Sequence, residues 1–436
     1  MMKSRLSVAF GSLLIVLTAL LVAKPAAAQQ FSDWSPPTNL NAIVRSDGTL
    51  CPAVVNTTSD DQHMTISKDG LTLIFSSNRP GGSGNQDLWF TERASRDECW
   101  GDAVNLGNVV NSAVQDLAPN LSTDGHWLYF HSRRPGGCGA GTSGELWVAH
   151  RQDKSANLGW ETPINLGCTI NLVGSDQAGP NHFEDEASGI QFLYFTRKPN
   201  TASEDFFDIY VSTCDADIAS CNRQGLWSAG EPVSTLNSPA DPQHSFGRDT
   251  RTAIRRRDGL EMVLSSKRPG GAGLIDLWSS TRATTLDQNW STPQNLRALN
   301  TSANDGAPAL SWDGTELYFY SNRAGTTGGN DLYVSKRSRA AGILTNLSTP
   351  FNLGLSINTA DRDSHFSISK DGLTAFFSTD RPGGLGANDI WVARRARRVN
   401  LWGDPHPLSS NLNSSGREAC ASLSQNGTGS SSVATI

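Results

Sequence analysis

The chain lacks the signatures of most common enzyme classes. Its 436 residues contain no G-x-S-x-G nucleophile elbow, no phosphate-binding P-loop and no dinucleotide-binding glycine fingerprint. The seven cysteines form no C-x-x-C pair and no Cys/His spacing suited to zinc. A nucleotide-dependent enzyme, an α/β-hydrolase and a zinc module are therefore not indicated.

Charge is also scarce, because only 18% of the residues are Asp, Glu, Lys or Arg and the net charge is −6. Such a chain has no general attraction to nucleic acid or to anionic lipid, so we expect no nucleic-acid partner. What it has instead is 41 glycines, which favours an all-β protein with many tight turns.

Only one long hydrophobic run is present, from Leu6 to Val22. It follows Lys3 and Arg5 and precedes an A-x-A site that ends at Ala28. This pattern is typical of a secretory signal peptide, which we predict to span residues 1–28, and the alternative is an uncleaved membrane anchor. We expect a periplasmic or secreted mature protein with no membrane span.

A repeat of roughly 50 to 60 residues fills the rest of the chain. "MTISKDGLTLIFSSNRPGG" (Met64 to Gly82) matches "PNLSTDGHWLYFHSRRPGG" (Pro119 to Gly137), "PALSWDGTELYFYSNRAGT" (Pro308 to Thr326) and "FSISKDGLTAFFSTDRPGG" (Phe366 to Gly384). Two divergent copies contain "GIQFLYFTRKPN" (Gly189 to Asn200) and "RRRDGLEMVLSSKRPGG" (Arg255 to Gly271).

Each copy reads as four strands. One strand precedes the Asp-Gly turn, a second follows it, "DLWF" or a similar segment is the third, and "W…P-x-N-L-G" is the fourth. Such units bury their apolar faces only by packing against one another around an axis, which predicts a β-propeller of four-stranded antiparallel blades. We expect one propeller domain over residues 31–436, with the repeated aromatic residues in the core between blades.

The pattern S-x-D-G-x-x-L-x-F-x-S-x-R…D-[LI]-[WY]-V resembles the WD40-like β-propeller repeat of the TolB type. The resemblance implies a periplasmic scaffold that binds a protein or another cell-envelope component and has no catalytic activity. The alternative is a secreted polysaccharide-active enzyme, a lyase or hydrolase, with a metal at the channel mouth. A clustered, non-repeated set of His, Arg and acidic residues in the channel would favour the enzyme.

Six complete repeats run from about Asp61 to Asn413, and two pieces remain. "WSPPTNLN" (Trp34 to Asn41) reads as a lone fourth strand, and the segment from Glu418 to Ile436 begins another unit. We predict that they form an incomplete composite seventh blade, with a six-bladed ring with frayed ends as the alternative.

The cysteines are assigned from the predicted topology, which places connections between second and third strands on the same face as those between blades. We predict three bridges, Cys51–Cys420, Cys138–Cys168 and Cys214–Cys221, with Cys99 left over.

The repeated arginine and the acid after it are predicted to brace the glycine-rich loop through a bidentate pair in each blade. The pairs are Arg79 with Asp87, Arg134 with Glu145, Arg268 with Asp276, Arg323 with Asp331, and Arg381 with Asp389.

An acid also precedes each innermost strand, often with a histidine nearby. The hypothesis is a channel rim that binds a divalent cation or a basic peptide, and the alternative is that each Asp caps its own turn. The candidate rim residues are Asp61, His63, Asp116, Asp176, Asp241, His244, Asp305, Asp363 and His365, together with His182 and Glu418.

Overall fold

The computed structural model of the chain describes residues 31–435, with gaps at 53, 140, 142, 203–205, 239–247, 328, 339–352, 354–355, 369–372, 398–399 and 420–433. These residues are almost entirely β. Their helical elements are a 3₁₀ turn, Leu40–Ala42, and α1, Ile218–Arg223. No helix in the described ranges is long and apolar enough to cross a membrane.

Six four-stranded antiparallel sheets follow one another along the chain. The first contains β2 (Asp61–Ile66), β3 (Thr72–Ser77), β4 (Asp87–Glu92) and β5 (Val104–Asn105); the second contains β6 (Asp116–Leu121), β7 (Trp127–Ser132), β8 (Glu145–His150) and β9 (Ile164–Asn165). The third contains β10 (Ser175–Glu184), β11 (Gln191–Pro199), β12 (Asp208–Cys214) and β13 (Glu231–Pro232); the fourth contains β14 (Asp249–Ile254), β15 (Glu261–Ser266), β16 (Asp276–Thr281) and β17 (Gln294–Asn295). The fifth contains β1 (Thr38–Asn39), β18 (Asp305–Leu310), β19 (Glu316–Ser321) and β20 (Asp331–Lys336); the sixth contains β21 (Asp363–Ile368), β22 (Thr374–Thr379), β23 (Asp389–Arg394) and β24 (Gly403–Pro407).

The repeated Asp-Gly turn forms the first hairpin of the first, second, fourth and fifth sheets, as in Ser67 to Thr72. Ser67 Oγ accepts from Thr72 N at 2.9 Å, and Asp69 Oδ1 accepts from Leu71 N at 3.0 Å. Gly70 has a φ of 79°, a left-handed conformation that favours glycine. The sequence thus encodes the turn both through side-chain acceptors and through a residue without Cβ.

The innermost strands of five sheets pack in a closed cycle. β2 packs against β6, β6 against β10, β10 against β14, β14 against β18, and β18 against β2. Five of the described core clusters lie between adjacent sheets of this cycle; Phe75 of the first sheet, for example, packs in one cluster with Tyr318 and Leu332 of the fifth. Another cluster lies within the sixth unit. The blades of a propeller-type fold and the predicted core between them are therefore confirmed. The sixth sheet packs against β25 (Glu418–Ala419).

The N-terminal segment closes this cycle by completing the fifth sheet. Thr38 and Asn39 pair with Val334 and Tyr333 of β20. Trp34 lies against the guanidinium of Arg337, 4.1 Å from its ring centroid, as Trp100 lies against Arg93 at 4.4 Å in the first sheet. Trp34 therefore has the role of the tryptophan that begins the fourth strand in the other units.

An asparagine in the segment that precedes the first sheet also joins the N-terminal part of the chain to the fifth sheet. Leu332 N donates to Asn56 Oδ1 at 2.8 Å, and Asn56 Nδ2 donates to Leu332 O at 3.0 Å. Asn111 makes the same two bonds to Leu88 between the first and second sheets. The junction of the fifth and first sheets is thus built like a junction within the chain.

The predicted composite seventh blade is wrong in its strand pairing. Its expected outer strand, β1, belongs to the fifth sheet, whereas β25 pairs with β26 (Ala434–Thr435). The physical reason is that Trp34, Asn39 and Asn56 fit the open edge of β20 with the contacts that Trp100, Asn105 and Asn111 make in the first blade.

Three disulfides are present among the described residues. Cys138–Cys168 and Cys214–Cys221 join the predicted partners. The predicted Cys51–Cys420 bridge is wrong, because Cys51 bonds to Cys99, and Cys420 lies outside the described residues. Placing the N-terminal strand in the fifth sheet brings Cys51 beside the first blade, where Cys99 is its neighbour.

The repeated arginine does not pair with the acid predicted for it. Arg79 Nη2 donates to Asp61 Oδ1 at 2.6 Å and to Val55 O at 2.6 Å. Its guanidinium lies 5.3 Å from the ring centroid of Trp89. The same ion pair recurs as Arg134–Asp116, Arg268–Asp249, Arg323–Asp305 and Arg381–Asp363, at 2.5 to 2.7 Å.

The acids assigned as brace partners hold the glycine-rich loops in another way. Asp87 accepts from the backbone N–H groups of Ser83 and Gly84, and Asn105 Nδ2 donates to it at 3.3 Å. The other members, which bind loop N–H groups likewise, are Glu145, Asp276, Asp331 and Asp389. The predicted brace is therefore wrong. The acid after the loop accepts hydrogen bonds from backbone N–H groups of the loop, and the arginine pairs with the acid of the innermost strand.

Candidate functional site

Most acids of the predicted rim are buried and make hydrogen bonds and ion pairs within the fold. Asp61 is fully buried. Its Oδ2 accepts from Thr57 N at 2.7 Å and Thr57 Oγ1 at 3.0 Å, while Oδ1 receives Arg79. Asp116, Asp305 and Asp363 repeat this arrangement. These carboxylates cap turns and neutralise arginines, as the alternative expected, and their role in a ligand-binding rim stays a prediction.

The two divergent units depart from this rule. In the fourth unit the acid of the ion pair is Asp249, and the predicted residues Asp241 and His244 lie outside the described residues. In the third unit Gln177 stands at the position that Asp holds in the other units. The strand register shows this, because Ala178, the residue after Gln177, pairs with Thr196 just as Leu117, the residue after Asp116, pairs with His131. The side chain of His365 also lies outside the described residues.

Asp176 therefore lies one residue before the position of the repeated Asp and has different hydrogen-bond partners. It accepts from Lys198 Nζ at 2.7 Å and from Gly144 N at 2.6 Å. Burial raises the pKa of Asp176, but these hydrogen bonds and the charge of Lys198 outweigh burial and hold the pKa below its ordinary value. Asp176 is thus ionised and already engaged at neutral pH.

A bulge in each innermost strand aims one residue at the central channel. The residue has a left-handed φ of 47° to 57° in all five sheets of the cycle, and each lines the same cavity of about 30 Å³. The bulge turns the side chain away from the strand's neighbours. The five residues are His63, Ala118, Gly179, Arg251 and Ala307.

On the second strand of each sheet, one residue pairs with the residue that precedes the bulge and so lies next to it. Ser76, Thr196 and Ser265 hold it in three sheets, and His131 and Tyr320 hold it in the others. The serines bond to the next blade, since Ser76 Oγ accepts from Ala118 N at 3.0 Å. His131 and Tyr320 are therefore large residues where most units have a small hydroxyl.

These unusual residues converge at one mouth of the channel. The rings of His63 and Tyr320 meet edge to face with centroids 5.8 Å apart. Arg251 extends across the bulge of the third sheet, where a Cβ at Gly179 would lie 2.9 Å from its Cδ and Nη1. His131 lies so close to Gly144 that a Cβ there would overlap the imidazole. The channel-mouth cluster consists of His63, His131, Arg248, Arg251 and Tyr320.

Burial and positive charge keep both imidazoles of this cluster neutral. Burial, and then the charges of Arg251 and Arg133, lower the pKa of His131 to about 3 against the opposing effect of Asp176. Burial, followed by Arg251 and Arg248, holds the pKa of His63 well below its ordinary range. The same two arginines oppose the rise that burial causes in the pKa of Tyr320.

Polar atoms of the cluster are buried without a protein partner. Neither ring nitrogen of His131, whose exposed fraction is 6%, makes a hydrogen bond of good geometry among the described residues, and the same holds for Nδ1 of His63. The backbone of Gln177 is the polar group that lies near enough to the His131 ring to raise its pKa. A buried polar group without a partner costs stability. The cluster therefore has the features of a ligand site.

His182, on the innermost strand of the third sheet, is buried and engaged by the fold. His182 Nε2 hydrogen-bonds to Gln191 Oε1 at 2.8 Å, and its ring stacks on Tyr129 with centroids 5.3 Å apart. Burial lowers the pKa of His182 to about 4 and that of the nearby Arg256 to about 10. His182 therefore has core contacts rather than a place at the rim.

Sequence reasoning identified His63 but missed four members of the cluster. A comparison of equivalent positions would have found three of them, because His131 and Tyr320 replace Ser or Thr, and Arg251 replaces Ala or Gly. Five arginines lie between Arg248 and Arg257 in the sequence, but which of them face the channel depends on the bulge, which the sequence does not reveal.

A divalent cation at the rim stays a prediction. No group of three or more His, Cys, Asp or Glu side chains in the described part of the chain is arranged to hold a metal ion.

Comparison with known proteins finds similarity of structure only. No protein-family model matches the chain, and no curated protein matches it in sequence. Similar solved structures include an α-L-arabinofuranosidase from Lactobacillus brevis, at 12% identity and a TM-score of 0.44, with 76% of this chain and 96% of that chain covered.

Two other solved structures show the range of the similarity. The arabinanase Arb43A of Bacillus subtilis has 14% identity and a TM-score of 0.42 over 64% of this chain and 95% of that chain. A putative TolB from Agrobacterium tumefaciens has 14% identity and a TM-score of 0.33 over 81% of this chain and 82% of that chain. Identities this low describe the fold.

These findings correct the prediction of a non-catalytic, TolB-like scaffold. Six of the similar structures are named as arabinofuranosidases, arabinanases or a GH62 hydrolase, whereas one is named as a putative TolB. The scaffold prediction was based on residues of the strands and turns of each repeat. These residues determine the structure of a blade and give no information about the side chains that line the channel.

Proposed function

We propose that this protein is an exported enzyme that acts on a polysaccharide at the mouth of a five-bladed propeller. The observation that carries the proposal is the channel-mouth cluster, in which side chains unique to single blades converge on one point. A residue needed for the fold occurs in every blade, whereas these residues differ between blades. The predicted signal peptide and the three disulfides support export.

The cluster offers groups that could take part in proton transfer. Two neutral imidazoles and a phenol lie together in a partly closed site, and imidazole is the commonest general acid or base in enzymes. Hydrolysis through paired carboxylates would instead need two acids facing the substrate. The described residues that line the channel cavity include His63 and Arg251, which favours imidazole-dependent chemistry.

The test is a panel of polysaccharides incubated with the protein and with His131→Ser. Neutral arabinan and xylan and uronate-containing polymers are compared by release of reducing ends. Ultraviolet absorbance of unsaturated products separates elimination from hydrolysis. We expect turnover by the wild type and a loss of at least about a hundredfold in the variant, the usual contribution of a general acid or base.

Serine is the chosen replacement because it is the residue at the equivalent positions 76 and 265. Arg223→Ala, on the opposite face in α1, is the matched control and should leave turnover unchanged. No product from any polymer, or equal turnover by His131→Ser and the wild type, would contradict the proposal.

A further inference from the structure

We propose that the channel binds a small inorganic anion of the size of chloride near the level where β2 and β18 end. The anion is held by Arg256, by the side-chain amides of Asn120 and Asn181, and by the backbone N–H groups of Ile66 and Leu310. All five residues line the channel cavity. The site does not involve the channel-mouth cluster, and its occupation does not depend on catalysis, so it goes beyond the proposed function.

The innermost strands of neighbouring blades are joined by a repeated hydrogen bond between a backbone N–H and a side-chain oxygen. In three of the five junctions, Thr or Asn of one blade accepts from an equivalent N–H of the next. The bonds are Leu121 N to Thr65 Oγ1 at 3.1 Å, His182 N to Asn120 Oδ1 at 2.9 Å and Ile254 N to Asn181 Oδ1 at 3.3 Å.

The other two junctions lack this acceptor. Ala253 and Ala309 hold the position of Thr65, since each pairs with the second strand of its sheet at the same point of the register. A methyl group cannot accept a hydrogen bond, so Ala309 leaves Ile66 N without one and Ala253 does the same for Leu310 N. Two backbone donors are thus unpaired at these junctions.

The strand ladder directs these two donors into the channel. In an antiparallel pair, alternate residues bond to the partner strand and the residues between them point the other way. The residue after Ile66 and the residue after Leu310 both bond to the second strand, so Ile66 and Leu310 face away from it. The bonds are Ser67 N to Thr72 O at 3.0 Å and Ser311 N to Glu316 O at 2.9 Å.

The two asparagines of the complete junctions add side-chain donors. Asn120 and Asn181 have exposed fractions of 4% and 6%, and both line the cavity. Because each Oδ1 accepts a backbone N–H, the Nδ2 of the same amide is left as a donor. Neither Nδ2 donates to a described residue, so the cavity contains amide donors that need an acceptor.

Arg256 supplies the positive charge. It follows the end of β14, its exposed fraction is 7%, and its guanidinium makes no hydrogen bond or ion pair with a described residue. Burial lowers the pKa of Arg256 to about 10, so it remains charged at neutral pH. The gap at 239–247 precedes Asp249, at the other end of this strand. A buried cation is costly unless it is paired, and a bound anion would pair it.

The size of the cavity restricts the ligand. Its volume is about 30 Å³, which is room for about one or two water molecules. A halide ion is only slightly larger than water and fits, whereas a sugar ring does not. Water would satisfy some of the donors but would leave Arg256 without a counter-charge, so the site favours an anion.

The experiment follows the full chain as chloride replaces gluconate at constant ionic strength. Gluconate carries the same charge but is too large for the cavity. We expect the unfolding temperature to rise by about 2 °C for each tenfold increase in chloride above the dissociation constant. Broadening of the chloride NMR signal by the protein reports binding directly.

Arg256→Met is the variant that removes the charge and keeps an unbranched side chain. We expect it to lose both the chloride-dependent rise and the line broadening. In gluconate it should be at least as stable as the wild type, because it no longer buries an unpaired charge. Arg257→Met is the matched control, since it makes the same change at the adjacent, exposed residue and should retain both responses.

Three results would overturn the inference. One is the absence of both chloride responses in the wild type, which would mean that water fills the channel. Another is an equal response in the wild type and in Arg256→Met. The third is an equal loss in Arg256→Met and Arg257→Met, which would assign the effect to the charge of the turn rather than to the channel.

Discussion

Arg79 shows how far a local interpretation of the sequence can go. Its predicted partner, Asp87, is nearer in sequence, but the hairpin of β2 and β3 places Asp61 opposite Ser77, two residues before the arginine. The register was available from the position of the Asp-Gly turn. What the sequence did not state was that the guanidinium folds back across its own hairpin to lie on Trp89.

At the same scale, His131 should make the stability of the protein depend on pH. The unfolded chain binds a proton at this residue below its ordinary pKa of 6.5, whereas the folded chain binds one only near pH 3. Stability from this group is therefore complete above pH 6.5 and is lost as the pH falls, by ~2 kcal/mol at pH 5.

Chemical denaturation at pH 8 and pH 5 measures this effect. We expect His131→Ser to lose less stability than the wild type between the two values, by that same ~2 kcal/mol. Equal losses in the two proteins would mean that His131 is protonated in the folded state.

At the scale of elements, most of the fold could be predicted from the sequence. The Asp-Gly turns mark the first hairpins, and the "W…P-x-N-L" segments mark the fourth strands. The place of β1 could not be predicted, because a lone fourth strand fits any open blade edge. The presence of Gln177 at the position of the repeated Asp could not be predicted either. An extra residue before β10 shifts its register by one, and the adjacent Asp176 therefore looks like the repeated Asp in the sequence.

The asparagines between blades give a prediction for the junction of the fifth and first sheets. Asn56→Ala would leave the buried N–H and C=O of Leu332 without partners, at a cost of about 2–4 kcal/mol. Asn413 makes the same two bonds to Ile390 in the sixth sheet, so Asn413→Ala is the matched control.

Calorimetry and hydrogen exchange of individual amides distinguish the two variants. Asn56→Ala should lower the main unfolding transition and speed exchange at Leu332. Asn413→Ala should speed exchange at Ile390 and leave Leu332 protected. Equal effects on both amides would show that the sixth sheet unfolds together with the cycle of five.

At the scale of the whole molecule, closure joins residues about three hundred positions apart, as in the bond from Ser335 Oγ to Ser35 O at 2.5 Å. Contacts of such sequence separation form late in folding, because loop closure costs entropy before the contact is gained. The N-terminal segment is thus the part of the ring that depends most on the rest being in place.

This arrangement predicts that the closing strand can be supplied in trans. Deleting residues 31–41 should lower the unfolding temperature, because β20 loses its partner and Arg337 loses Trp34. A peptide of residues 31–41 should restore it, while the same peptide with Trp34→Ala should restore it only weakly. An unchanged unfolding temperature after deletion would show that β1 does not close the ring.

The bulge in the innermost strands has a practical consequence for changing what this protein recognises. Its left-handed residue projects into the channel and is His, Ala, Gly, Arg and Ala in the five blades, so the backbone already accepts both small and large side chains there. A combinatorial library confined to positions 63, 118, 179, 251 and 307 would vary the lining of the channel from five directions while leaving the strand ladders and the cores between blades intact.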